Sequence, residues 1–227
     1  MAIVLTVSIL PTTFAFAKPV SSVESESSLA TIQCIGGVYY IYEADELNLI
    51  SQAVRNGNSF FGYQIKIMND LDFEKKQFLP IGDKAHPFRG NFDGGGHTIN
   101  NIRVYTNNGS YVGLFGYVGP LGIVRNLILG KNASITGNHY TGGIVGYNDG
   151  IVTHCCFKGN VICNTGNQST GGIAGYNACQ GYINDCRVSR SSKIVEIIQN
   201  TTSAGPFICG RSEGSVSGCE TFSLRPW

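Results

Sequence analysis

Gly210-Arg211-Ser212-Glu213-Gly214 has the G-x-S-x-G spacing of a nucleophile elbow, in which a strained turn exposes a serine for acyl transfer. The histidines argue against that chemistry. His86, His97, His139 and His154 all precede Ser212, whereas an α/β-hydrolase places its base after the nucleophile, and no helical pattern follows. Asp70, Asp72, Glu74, Asp83 and Asp93 could supply oxygens to calcium or the acids of polysaccharide cleavage. Aspartates among turn residues more often cap backbone amides. The stretch 110–219 also holds few acids, so a catalytic face built over several repeats is not expected. The glycine phrases are neither G-x-G-x-x-G opening a helix nor a phosphate loop ending in Lys-Ser or Lys-Thr. No catalytic residue, metal ligand or cofactor is expected.

Eight cysteines remain: Cys34, Cys155, Cys156, Cys163, Cys179, Cys186, Cys209 and Cys219. No C-x-x-C pair gives them zinc spacing. Repeat register favours Cys155, Cys186 and Cys219 as buried thiols, and any bridges are expected among Cys156, Cys163, Cys179 and Cys209. Tyr117, Tyr147 and Tyr176 recur once per repeat, two of them followed by Asn148 and Asn177. Facing outward, these five residues would make a platform on which sugar rings stack, and they are the candidate ligand-binding set. Packing within the fold is the other reading. The N-x-[ST] sequons at Asn108, Asn132, Asn167 and Asn200 read as by-products of Asn/Thr-rich turns.

The elements that would position these side chains follow from internal repetition. Gly113-Leu114-Phe115-Gly116-Tyr117 returns as Gly143-Ile144-Val145-Gly146-Tyr147 and Gly172-Ile173-Ala174-Gly175-Tyr176, at offsets of 30 and 29 residues. A second phrase returns as Val124-Arg125-Asn126-Leu127, Val152-Thr153-His154-Cys155, Ile183-Asn184-Asp185-Cys186 and Val216-Ser217-Gly218-Cys219. A worn further copy of the first phrase is read at Ala204-Gly205-Pro206-Phe207. Each period holds short β-prone runs separated by Gly/Asn turns, and a unit of about 30 residues cannot bury a hydrophobic face alone. Stacked copies predict an all-β, right-handed parallel β-helix over 58–227, of about five to six rungs spaced roughly 4.8 Å apart. Leu114, Ile144 and Ile173 should form one internal ladder, and Leu127, Cys155, Cys186 and Cys219 another.

Before the repeats, Ala44–Arg55 spaces Leu47, Ile50 and Val54 as one helical face, with acids early, Arg late and Gly57 beyond the end. A helix over 44–56, within a segment 39–57 that also holds a strand, is expected to cover one open end of the solenoid. At the other end either Phe222 and Trp227 plug the rod or the chain belongs to something longer. Residues 2–10 are apolar and precede the small-x-small site Ala15-Phe16-Ala17, which reads as a signal peptide over 1–17 and predicts export. Residues 18–38 read as a flexible leader. Among 227 residues, 14% are charged and the formal net charge is +1, with no basic run to track phosphates. Nucleic acid is therefore not expected as a partner, and no run is long enough for a membrane span. Glycine is in excess, at 30 residues, which suits corners and close rung contacts.

Phe88-Arg89-Gly90-Asn91-Phe92-Asp93-Gly94-Gly95-Gly96-His97-Thr98-Ile99, followed by Val112–Val118 and the GGIVGYN and GGIAGYN copies, resembles GLUG-motif bacterial proteins. The likeness runs from about Glu43 to Cys219 and includes the helix, Asn69–Phe73 and Leu79-Pro80-Ile81-Gly82. It implies a secreted or cell-surface β-helical segment of an adhesin-like protein, or a module flanking the protease domain of IgA-peptidase-type enzymes. The expected function is a non-enzymatic exported module that adheres to a host or matrix glycan or protein, or that spaces another domain from the cell. The alternatives are a carbohydrate-active β-helix enzyme and a truncated accessory region of a larger peptidase or adhesin.

Overall fold

A computed structural model describes residues 29–106, 109–165, 169–198, 201–204 and 207–223. The signal peptide expected over 1–17, most of the leader, Asn108, Asn167, Asn200 and Trp227 lie outside the described residues.

The chain winds as a parallel β-solenoid of about six turns. One middle turn runs through Ile123–Arg125, Ile128–Leu129, Ser134–Gly137, His139–Gly142 and Val145–Asn148, which belong in that order to five different sheets. These faces contain eight, six, six, three and four strands. Alternation along each short strand sends every second residue inward, and register then stacks like positions. On the first face Ile65, Phe92, Val124, Val152 and Ile183 pair in sequence and are all fully buried. Leu129, Phe157 and Val188 stack on the second face, and Val104, Ile135, Val161 and Ile194 on the third.

The expected ladders are present. Val145 pairs with Ala174, the amide of Ile144 donates to the Ile173 carbonyl at 3.1 Å, and Leu114, Ile144 and Ile173 are completely buried. Between the first and second faces five turns bend through a left-handed backbone residue: Gly95, Asn126, His154, Asp185 and Gly218, with φ between 49° and 62°. Small polar residues and glycine adopt this conformation at least cost, which explains the variable third position of the second phrase. Where the fourth and fifth faces meet, glycine answers a different need. A Cβ on Gly146 would lie 2.7 Å from the backbone of Tyr111, Val112 and Tyr140.

The helix spans Ala44–Arg55, one residue shorter than expected, and buries Leu47, Ile50, Ser51, Ala53 and Val54. The Glu46 carboxylate accepts from the Tyr42 and Glu43 amides, holding donors that the first turn leaves open. The helix covers the N-terminal end of the solenoid. Its Ser51 hydroxyl bonds the Leu79 carbonyl at 2.7 Å and lies 3.2 Å from that of Pro80.

Two boundaries differ from expectation. The last part of the leader is ordered as a strand, Cys34–Ile35, paired antiparallel with Val38–Ile41. Gly36 and Gly37, with φ of 57° and 82°, supply the tight turn that joins them. The further copy of the first phrase is not at 204–207 but at Cys209–Ser212, where Cys209 pairs with Ala174 and Arg211 with Tyr176. An antiparallel strand, Thr201–Ala204, folds back on Ile194–Ile198 and takes up the extra residues that displaced the copy.

Candidate functional site

The fifth face carries Phe115–Val118, Val145–Asn148 and Ala174–Asn177 in register, so Tyr117, Tyr147 and Tyr176 form one column on the outer side. All three are partly exposed. Their rings lie on one another, at 4.6 Å and 21° between Tyr117 and Tyr147 and 4.9 Å and 24° between Tyr147 and Tyr176. A second column, Tyr111 and Tyr140, rises beside the first on the fourth face, stacked at 5.2 Å and 29°. Tyr140 meets Tyr147 edge to face at 5.6 Å and Tyr176 at 5.5 Å. The Arg211 guanidinium lies 5.7 Å over Tyr176.

This geometry changes what the tyrosines can do. A sugar stacks on the flat face of a ring, and here both faces of Tyr147 and one face each of Tyr117 and Tyr176 are occupied by neighbouring rings. What Tyr117, Tyr147 and Tyr176 offer outward is ring edge and hydroxyl. Burial and the neighbouring Tyr147 push the Tyr117 phenol up to about 12. A hydrogen bond to Glu213, followed by desolvation, does the same for Tyr176, also to about 12. These hydroxyls are neutral donors through the physiological range.

Asn148 and Asn177 do not stand beside the tyrosines on the surface; both are completely buried. In register they continue a column that starts with the buried Val118, and so they point inward. Asn148 Nδ2 donates to Asn177 Oδ1 at 2.8 Å and to the Gly150 carbonyl at 3.2 Å, and its Oδ1 accepts from the Gly150 amide. Asn177 Nδ2 reaches the Gly181 and Ser215 carbonyls and the Ser212 hydroxyl. The pair is an internal amide ladder that satisfies a corner, not a ligand site. Ser212 of the G-x-S-x-G match ends the same column and donates to the Gly214 carbonyl at 3.1 Å.

Tyr111 and Tyr140 were not singled out in the sequence, although each stands two residues before a glycine, as Tyr111-Val112-Gly113 and Tyr140-Thr141-Gly142. Tyr111 begins its column and also borders a groove of about 740 Å³ shared with Tyr105, Arg55, Gln77, Asp83 and Lys84. This groove joins an aromatic side chain to charged and amide groups of both signs, a combination suited to polar ligands.

Asp72, Asp83 and Asp93 cap turns, and Asp70 reaches an amide of the next turn of the solenoid. Asp83 accepts from the Ala85 and His86 amides at 2.8 Å each, Asp72 from Glu74, Asp93 from Gly95, and Asp70 from Thr98. Amide hydrogen bonds and the Arg125 charge hold the Asp93 carboxyl below the usual range despite its partial burial. Among the described residues no group of three or more His, Cys, Asp or Glu is placed to hold a metal ion. All eight cysteines are free thiols, so the bridges expected among Cys156, Cys163, Cys179 and Cys209 are not formed. Among the described residues no helix is long and apolar enough to cross a membrane.

The chain is 32% identical over 105 residues to a protein of Evansella cellulosilytica described as a Gly-rich membrane protein, covering 40% of this chain and 12% of that one. It is 32% identical over 130 residues to halomucin of Haloquadratum walsbyi, covering 53% of this chain and 1% of that one. The chain thus spans only a small part of the curated relatives it matches. No family description matches it, and no solved structure does. By these likenesses the chain is similar to segments of much longer proteins whose names point to membrane or surface settings.

Proposed function

We propose that this chain is an exported, non-enzymatic β-solenoid module of the cell surface, of the GLUG type that its repeated phrases resemble. It presents a rigid face for adhesion to a glycan or matrix component, or holds another domain away from the cell. The observation that carries the reading is the continuous register of six turns, which commits side chains to stacking along the rod. The tyrosines brace one another and Asp72, Asp83 and Asp93 cap turns. The names of the two relatives, and the small share of each that is matched, support a repeated surface segment.

Ligand contact is assigned to the tyrosine side of the rod, through the edges and hydroxyls of Tyr117, Tyr147 and Tyr176 and the groove beside Tyr111. An array of bacterial and host polysaccharides and matrix proteins tests this. Binding without product, weakened several-fold by Tyr111→Ala, is the expected result. Release of unsaturated or reducing ends would overturn the reading in favour of a carbohydrate-active enzyme. Absence of any binding would leave the rod as spacer and overturn its role in adhesion.

A further inference from the structure

Cys155, Cys186 and Cys219 occupy one inward column, a thiol per turn. Their sulfurs repeat one setting. Sγ lies 3.3 Å from the Thr153 carbonyl in the first, 3.3 Å from Asn184 in the second and 3.2 Å from Ser217 in the third, each two residues upstream. Side chains that repeat a setting in successive turns are displaced by the strand spacing, about 4.8 Å. Two metal–thiolate bonds of about 2.3 Å laid end to end span about 4.6 Å. Sulfurs one pitch apart are thus close to the span of two such bonds, and the Cys186 thiol lies within hydrogen-bonding reach of the thiols of Cys155 and Cys219.

Further observations select the pair and the ion. Cys155 and Cys186 are sealed in the core, whereas Cys219 is partly exposed in the last turn. There Ser215–Ser217 and Glu220–Phe222 have a strand neighbour on one side only, among the described residues. The Cys186 amide is aimed at the Cys219 sulfur at 3.4 Å, and the Cys155 amide at the Cys186 sulfur. Such donors offset part of the thiolate charge as a bond to metal forms, against the neighbouring thiols and the burial that hold both groups well above the ordinary thiol range. Among the described residues no three His, Cys, Asp or Glu side chains converge to hold an ion, which disfavours four-coordinate zinc, while soft thiolates in low coordination select Cu(I).

We propose that Cys186 and Cys219 bind one Cu(I) ion in linear two-coordinate geometry, entered from the C-terminal end of the solenoid. Each thiol releases its proton to solvent as its sulfur–copper bond forms, and the ion enters and remains as Cu(I). The full chain carrying Cys34→Ser, Cys156→Ser, Cys179→Ser and Cys209→Ser, which removes every exposed or partly exposed thiol except Cys219, is titrated anaerobically with Cu(I) held by a competing chelator. Native mass spectrometry and X-ray absorption read the product. One retained ion with two sulfur neighbours is expected. Adding Cys219→Ser, at a partly exposed position that leaves the fold intact by circular dichroism, should weaken retention by more than the roughly 10–100-fold lost with an outer-shell partner. Cys163→Ser, remote from the column, should not. No retained copper, retention unaffected by Cys219→Ser, or a shell containing nitrogen or oxygen would each overturn the proposal.

Discussion

Asn148→Ala probes whether the internal amide ladder holds the turns together. The side chain is fully buried, and its removal strips the Gly150 amide of its side-chain acceptor and Asn177 Oδ1 of its donor. The Gly150 carbonyl stays satisfied by the Tyr182 amide at 2.8 Å. Two buried polar groups left without partners cost about 1–3 kcal/mol each, so the expected loss is about 2–6 kcal/mol. For a chain of this size that lowers Tm by on the order of 10 °C. Urea and thermal unfolding followed by circular dichroism give the comparison, with Asn132→Ala as control. Asn132 donates to Asn101 at 3.0 Å on an exposed surface, and its loss should stay within about 0.5 kcal/mol. Equal destabilisation by the two substitutions would refute an internal structural role for Asn148.

Gly146→Val places a Cβ against three backbone atoms that cannot move independently, and it should lower Tm well beyond an exposed Ser→Val change; matching melting curves would remove the close-packing account. Alkali gives a separate reading. The phenols of Tyr117 and Tyr176 stand near 12 in the folded chain and ionise near 10 when unfolded. Their stabilisation is therefore intact below pH 10 and lost as the pH rises through 12. The urea midpoint should fall over that window as tyrosinate absorbance grows, and a flat midpoint would contradict the stacked column.

The repeat arithmetic made the architecture legible because in-register stacking forces like side chains to recur. Leu114, Ile144 and Ile173 are legible as one column in the sequence alone, and the helix announces itself by spacing and charge. The site was read less well. Strict alternation from Ile144 carries Tyr147 outward, and Asn148 was grouped with it as a neighbour in sequence. Asn148 nevertheless shares its column with Val118, and that apolar member was the available sign that the position is internal. Tyr111 and Tyr140 escaped notice because their third equivalent is Ser169, so the column breaks after two members. The last copy of the first phrase lay hidden because the hairpin through Thr201–Ala204 stretches its offset from Ala174 to Cys209.

The helix at the N-terminal end also gives the rod a polarity. Polymerisation of solenoids end to end needs two mating edges, one from each molecule at every junction. Here the Ala44–Arg55 helix lies over one of them and engages the Leu79 and Pro80 carbonyls through Ser51. A head-to-tail junction between copies of this fold would have to displace that helix or pair through the two-residue edge strand Cys34–Ile35.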